Sequence, residues 1–134
     1  MRFQGHNVLA ILVAAIAIYA VGFVIYGLVF EQAWIAASGY TREEVETGMS
    51  KMPFSPIMPI LIAIGLSLVI KWRNKPGLMS GVVTGLLMAA LFLFPERLYA
   101  YVYSPVGGAT LLGIDTLHIF VTGVVGGGVL GAWK

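Results

Sequence analysis

The sequence predicts an all-α integral membrane protein: a bundle of four transmembrane helices forming a single domain over residues 1–134. Three observations carry this. Hydrophobic side chains make up 59% of the 134 residues and charged ones only 10%, against about 25% in an ordinary soluble domain. The apolar residues are gathered into four long runs instead of alternating with polar ones. Nearly all the charge lies between those runs, as expected when charge is costly inside a bilayer.

The first run, residues 8–30, is 23 residues without a charged side chain. At about 1.5 Å per residue it reaches roughly 34 Å, enough to cross a hydrocarbon core of about 30 Å. The apolar part of a signal peptide would be shorter, about 7–15 residues. The second run is bounded as 56–71, because Pro53, Pro56 and Pro59 crowd its start and proline is tolerated best in a first helical turn. The third, 77–95, is expected to close at Pro95. The fourth, 109–133, is interrupted only by Asp115 and His118.

The linkers differ in chemistry. In the first, Thr41 and Glu44 have capping-box spacing, which predicts a short interfacial helix over about 42–50. Residues 71–76 make a tight basic turn. Residues 96–108 carry Tyr99, Tyr101 and Tyr103 and are expected to run along a membrane interface, where tyrosine and tryptophan concentrate. Trp34, Trp72 and Trp133 are read as interface anchors. Arg2, Lys71, Arg73, Lys75 and Lys134 fall on one side of a four-span topology, and Arg42, Lys51 and Arg97 on the other. The excess of positive charge places the first group, with both termini, in the cytoplasm.

Glycines repeat every four residues in two places: Gly77, Gly81 and Gly85 in the third span, and Gly123, Gly127 and Gly131 in the fourth. Small residues at this spacing let two helix backbones approach closely. The third and fourth spans are therefore expected to touch along them, or one stripe to face another subunit. In a closed bundle packed in chain order, the first and fourth spans are also neighbours.

Several function classes are excluded or disfavoured. A net charge of +2 with scattered basic residues gives no nucleic-acid surface. The absence of cysteine removes disulfides and thiol chemistry. The glycines at 126–128 lie inside an apolar helix and lack the strand and lysine of a phosphate loop. His6 and His118 are expected near opposite membrane faces, which disfavours a haem held between them. The two halves of the chain share no repeat of the kind found in inverted transporters.

Residues 22–41 read GFVIYGLVFEQAWIAASGYT. Gly22, Tyr26, Phe30, Ala33 and Trp34, followed by Gly39, Thr41, Glu43 and Glu44, resemble a membrane family classed as domain of unknown function number 1761. The closing Gly131-Ala132-Trp133 is similar to that family's small-residue end. The resemblance implies a four-helix membrane protein of bacterial or archaeal origin, here placed in a bacterial inner membrane, and brings no established activity. The proline cluster at 53–59 and the tyrosine-rich linker depart from the family's pattern.

Asp115 and His118 are the strongest candidates for chemistry. They lie three apart in the fourth span, on one helical stripe with Thr122 and Gly126. Ionisable groups within a membrane helix usually face the protein interior, a cavity or a partner. They fit either a structural hydrogen bond or a proton relay. The topology brings Glu31, Glu96 and Arg97 to the same outer level, so these five residues are expected to surround one polar pocket. No metal is expected, because no pair has a recognised ligand spacing. Tyr19, Tyr26 and Phe30, with Gly22 between them and Trp34 beyond, form an aromatic face on the first span. It suits packing or lipid contact, or else a lipid tail, pigment or quinone. The expected function is non-enzymatic: an accessory or assembly subunit of a larger membrane complex, or a bundle that binds a small ligand or lipid. The alternative is a small proton-coupled carrier using Asp115 and His118. Expected partners are membrane lipids and either further copies of the chain or other membrane subunits, and no cofactor is required.

Overall fold

The structure is a computed structural model that describes residues 2–3 and 6–133. The side chains of Arg2 and His6, and the whole of Lys134, lie outside the described residues, so that part of the charge count is not placed. A two-residue antiparallel pairing of Arg2–Phe3 with His6–Asn7 leads into helix. The rest is helical, with four segments long and apolar enough to cross a membrane: Val8–Val29, Met52–Arg73, Leu78–Tyr103 and Ala109–Ala132.

The first span opens with α1 (Val8–Gly22), whose first turn is capped by Asn7; its side chain accepts from the amides of Leu9 and Ala10. The helix then widens into π geometry over Phe23–Val29. It breaks at Phe30, whose amide still donates to Ile25 O at 2.9 Å. The linker that follows is helical from its start, which the sequence reading did not anticipate: α2 covers Glu31–Ser38. Its Ala-rich run favours helix, and Gly39, at φ 73°, supplies the left-handed residue that ends it.

Helix α3 (Arg42–Met49) starts on a full capping box. The amide and hydroxyl of Thr41 both donate to the Glu44 carboxylate, at 2.8 and 2.9 Å. These bonds, the amide's first, hold the Glu44 carboxyl below the ordinary glutamate range.

One 3-10 turn (Met52–Phe54) absorbs Pro53 before α4 (Ile57–Arg73) begins. Asn74, at φ 51°, and Gly77, at φ 115°, make the tight turn into α5 (Leu78–Met88). Pro95 does not end the third span. A second π segment, Ala89–Leu93, precedes it, and α6 (Phe94–Tyr103) continues the helix for ten residues. The π turn re-routes the Phe94 amide to Ala89 O. Pro95 then occupies the first turn of α6, where its missing N–H costs little. The tyrosine-rich segment expected as an interfacial linker is thus helix, and Tyr99 and Tyr103 stack one turn apart with centroids at 4.5 Å. Helix α7 (Ala109–Ala132) is the fourth span, and Trp133 lies just beyond it.

The fourth span is central and touches the other three. On one side Ala10, Ala14, Ala15 and Ile18 of α1 meet Ala63 and Leu66 of α4 and Leu130 of α7 in a buried core. Gly126 leaves the space that the ends of Ile18 and Leu66 fill. On the other side α5 lies directly against α7. Gly77 N donates to Gly131 O across the contact at 3.1 Å. A Cβ built on Gly81 would meet the Gly127 carbonyl and fall 2.7 Å from Gly131 Cα, and one on Gly85 would meet the Gly123 carbonyl. All six glycines of the two stripes lie in this seam.

Candidate functional site

The site lies where the first, third and fourth spans converge, at the end of the bundle from which α2 and α3 extend. Asp115 is on the second turn of α7 and is 8% exposed. Tyr26, inside the π segment of the first span, donates its hydroxyl to Asp115 Oδ1 at 2.7 Å. Arg97, at the start of α6, donates Nη1 to Asp115 Oδ2 at 3.4 Å. Both carboxylate oxygens are therefore engaged, each from a different span. Hydrogen bonds to an ionised acceptor are stronger than neutral ones, and a carboxylate in this position needs such partners.

One turn deeper, the His118 ring packs on Tyr26, centroids 4.8 Å apart. Its Nε2 is 3.4 Å from the Thr122 hydroxyl, and Thr122 is only 1% exposed. Gly22 faces the same ring: a Cβ there would stand 3.4 Å from His118 Nε2. Trp34 of α2 closes the top with its ring edge-on to Tyr26 at 5.9 Å, and Tyr40 packs on Trp34 at 6.2 Å.

Two π segments set this geometry. Each inserts a residue into the helical repeat, so every residue after it is rotated from its α-helical position. Tyr26 lies within one and Arg97 just past the other. The rotation also divides the expected aromatic face. Tyr19 points to the second span, its hydroxyl 3.2 Å from Ser55 Oγ, whereas Tyr26 points to the fourth. Phe30 sits at the helix break. Tyr19, Tyr26, Phe30 and Trp34 do not form one face.

The expected five-residue pocket is also smaller than the sequence suggested. Asp115, His118 and Arg97 gather around Tyr26. Glu96 is turned outward, its side chain 65% exposed, and pairs only with Arg97 at 3.1 Å among the described residues. Glu31 is exposed and takes part in none of the ion pairs among the described residues. Both carboxylates sit at the bundle end, where water reaches them, and neither needs an interior partner. The sequence reading placed Tyr26 in an aromatic stripe and missed it as the hydroxyl partner of Asp115. The only signal was its membership of the Gly22–Trp34 pattern.

Among the described residues, no three histidine or acidic side chains converge as a metal would need. The cluster can instead anchor a small group. The half-exposed guanidinium of Arg97, with its side chain 44% accessible, can donate to an anionic or carbonyl oxygen. The Tyr26, His118 and Trp34 rings give it an aromatic wall.

A family model described as "Protein of unknown function (DUF1761)" matches residues 9–131, nearly the whole chain. The chain belongs to the DUF1761 family. No curated protein and no solved structure matches it. In this member of DUF1761, three of the residues that carry the resemblance, Gly22, Tyr26 and Trp34, are the ones that touch one another or His118 in the cluster. This stretch, within the matched residues, builds one wall of the site.

Proposed function

We propose that this DUF1761 protein is a non-enzymatic, multi-pass protein of the bacterial inner membrane. Both termini are cytoplasmic, and the polar cluster holds a small ligand or lipid headgroup at the outer end of the bundle. It acts as an accessory subunit of a larger membrane assembly. The observation that carries this reading is the Asp115 carboxylate, gripped by Tyr26 and Arg97 from two other spans while Arg97 stays half open to the outside. The Arg97 guanidinium is thereby held in place by Asp115 and accessible at once.

The carrier reading draws on the line Asp115, His118, Thr122, which steps inward along α7. That line stops at Thr122. The next position on the stripe is Gly126, and the ends of Ile18 and Leu66 fill the space before it. A proton relay needs further side chains or a file of water, and an apolar plug supplies neither.

The test combines two measurements. Purified in mild detergent, the protein should retain a small molecule or further chains visible by mass spectrometry. Reconstituted in vesicles with a pH-sensitive dye, it should carry no proton flux, and His118→Ala should only lower the melting temperature by several degrees. A proton flux that His118→Ala abolishes would overturn the proposal in favour of a carrier.

A further inference from the structure

We propose that the opposite end of the bundle binds the phosphate headgroup of an anionic phospholipid, held by Arg73 and the Ser80 hydroxyl. This rests on reading the chain as membrane-spanning.

The first observation is the direction of Arg73. It ends α4 beside the tight turn, where a long cationic side chain would ordinarily reach out to water and headgroups. Its guanidinium instead turns inward and donates from Nη1 to the Thr84 hydroxyl. Thr84 is 1% exposed and lies six residues into α5, about 9 Å from its start. Thr84 in turn donates to Ser80 O at 2.7 Å, so its proton is committed and it serves Arg73 as a neutral acceptor only.

The second observation is the placement of negative charge. The sequence has six acidic side chains: Glu31, Glu43, Glu44, Glu46, Glu96 and Asp115. Every one of them lies at or beyond the other end of the bundle, in α2, α3, α6 or the start of α7. The ion pairs Arg42–Glu46, Arg97–Glu96 and Arg97–Asp115 are at that end too. No side-chain carboxylate can reach Arg73. A guanidinium turned into a helix bundle favours an anion beside it; none of the chain's side chains supplies one, the C-terminal carboxylate of Lys134 lies outside the described residues, and a bound phosphate is the proposed counter-charge.

The third observation is Ser80. It lies one helical turn from Thr84, towards the end of the bundle, and its Oγ is buried with no hydrogen-bond partner among the described residues. Buried hydroxyls are rarely left in that state. A phosphate on Arg73 would supply an anion to the guanidinium, and a change of the Ser80 rotamer would let its hydroxyl, which the fold encloses, donate to the same phosphate. Arginine suits phosphate because its planar fork can donate two parallel bonds.

The surroundings select a lipid over a free ion. Trp72, Leu78 and Met79, next to Arg73 and Ser80 in sequence, are 75%, 58% and 72% exposed. Lys75 is exposed in the turn. A cationic pocket bordered by apolar side chains fits an amphiphile with an anionic head, the composition of an anionic cytoplasmic leaflet.

The experiment uses the full chain extracted in a neutral detergent. Phosphatidylglycerol and phosphatidylcholine with the same acyl chains are supplied together, and the lipids retained are read by native mass spectrometry. The protein should prefer phosphatidylglycerol. Arg73→Gln should reduce that preference roughly tenfold, and Ser80→Ala about threefold. Arg42→Gln, at the other end, should leave it unchanged. Excess inorganic phosphate should not displace the lipid. If Arg73→Gln does not fold, as judged by its thermal melt, Ser80→Ala decides. An unchanged preference in the folded variants would overturn the inference, and so would complete displacement by inorganic phosphate. A chain that extracts from membranes but shows no lipid preference defeats this inference alone. A chain that never enters the membrane fraction defeats the reading beneath it.

Discussion

A single methyl group at Gly85 or Gly127 should be enough to break the bundle. Gly85→Ala and Gly127→Ala are each expected to cost about 3 kcal/mol or more, the upper end of overpacking penalties. The reason is the identity of the atoms they meet. A Cβ on Gly85 would overlap the carbonyl of Gly123, and one on Gly127 the carbonyl of Gly81, with the Gly81 carbonyl carbon at 3.0 Å. Side chains can change rotamer to relieve a clash, but a facing helix backbone can only move away as a whole. That would open the seam along its length, including the Gly77–Gly131 hydrogen bond. Gly65 and Gly113 provide the contrast. Nothing lies within 4 Å of a Cβ at either, so Ala there should be neutral or stabilise by up to about 1 kcal/mol through helix propensity. Thermal melts of the four variants in one detergent give the comparison. Equal stability across the set would mean that the close seam is not what holds the third span.

Removing either half of the Tyr26–Asp115 pair should have the next largest effect. Tyr26→Phe keeps the ring on His118 and Trp34 but deletes a bond to a carboxylate, for about 1–2 kcal/mol. Asp115→Leu should cost about 2–3 kcal/mol, because it strands the Tyr26 hydroxyl and releases Arg97. Arg97 softens that loss, since its half-exposed guanidinium can turn to water and Glu96. The double variant should lose less than the sum of the two, as expected for residues in contact. Additive losses in a double-mutant cycle would show that the two residues do not interact in the folded protein.

Much of the architecture is legible in the sequence because it follows from long-range averages. The four apolar runs are visible by length alone, and the two glycine stripes lie in the contact between the spans that carry them. The α3 helix follows from Thr41 and Glu44, whose capping bonds are purely local. What was not legible depends on breaks in regularity. Nothing in FVIYGLV or AALFL announces a π turn, yet those two segments rotate Tyr26 and Arg97 towards Asp115. The same irregularity carries helix past Pro95, where a proline rule applied to an unbroken α-helix ends it. Glu31 and Glu96 share the level of Asp115 but not its direction, because a topology argument fixes depth and leaves rotation open. The inward turn of Arg73 depends on a single rotamer beside Thr84, which neither hydropathy nor spacing records.

The most direct test of the membrane account exploits the absence of native cysteine. Three exposed positions, Ser50, Asn74 and Val106, sit in the three turns between spans, and each can carry one cysteine in an otherwise unreactive chain. In intact bacterial cells, a membrane-impermeant maleimide should label Ser50→Cys and Val106→Cys, which flank the Asp115 cluster. Asn74→Cys, beside Arg73, should react only after the inner membrane is opened. Labelling of Asn74→Cys in intact cells would contradict the account: alone it would mean an inverted topology, and together with the other two it would mean helices that do not span the membrane.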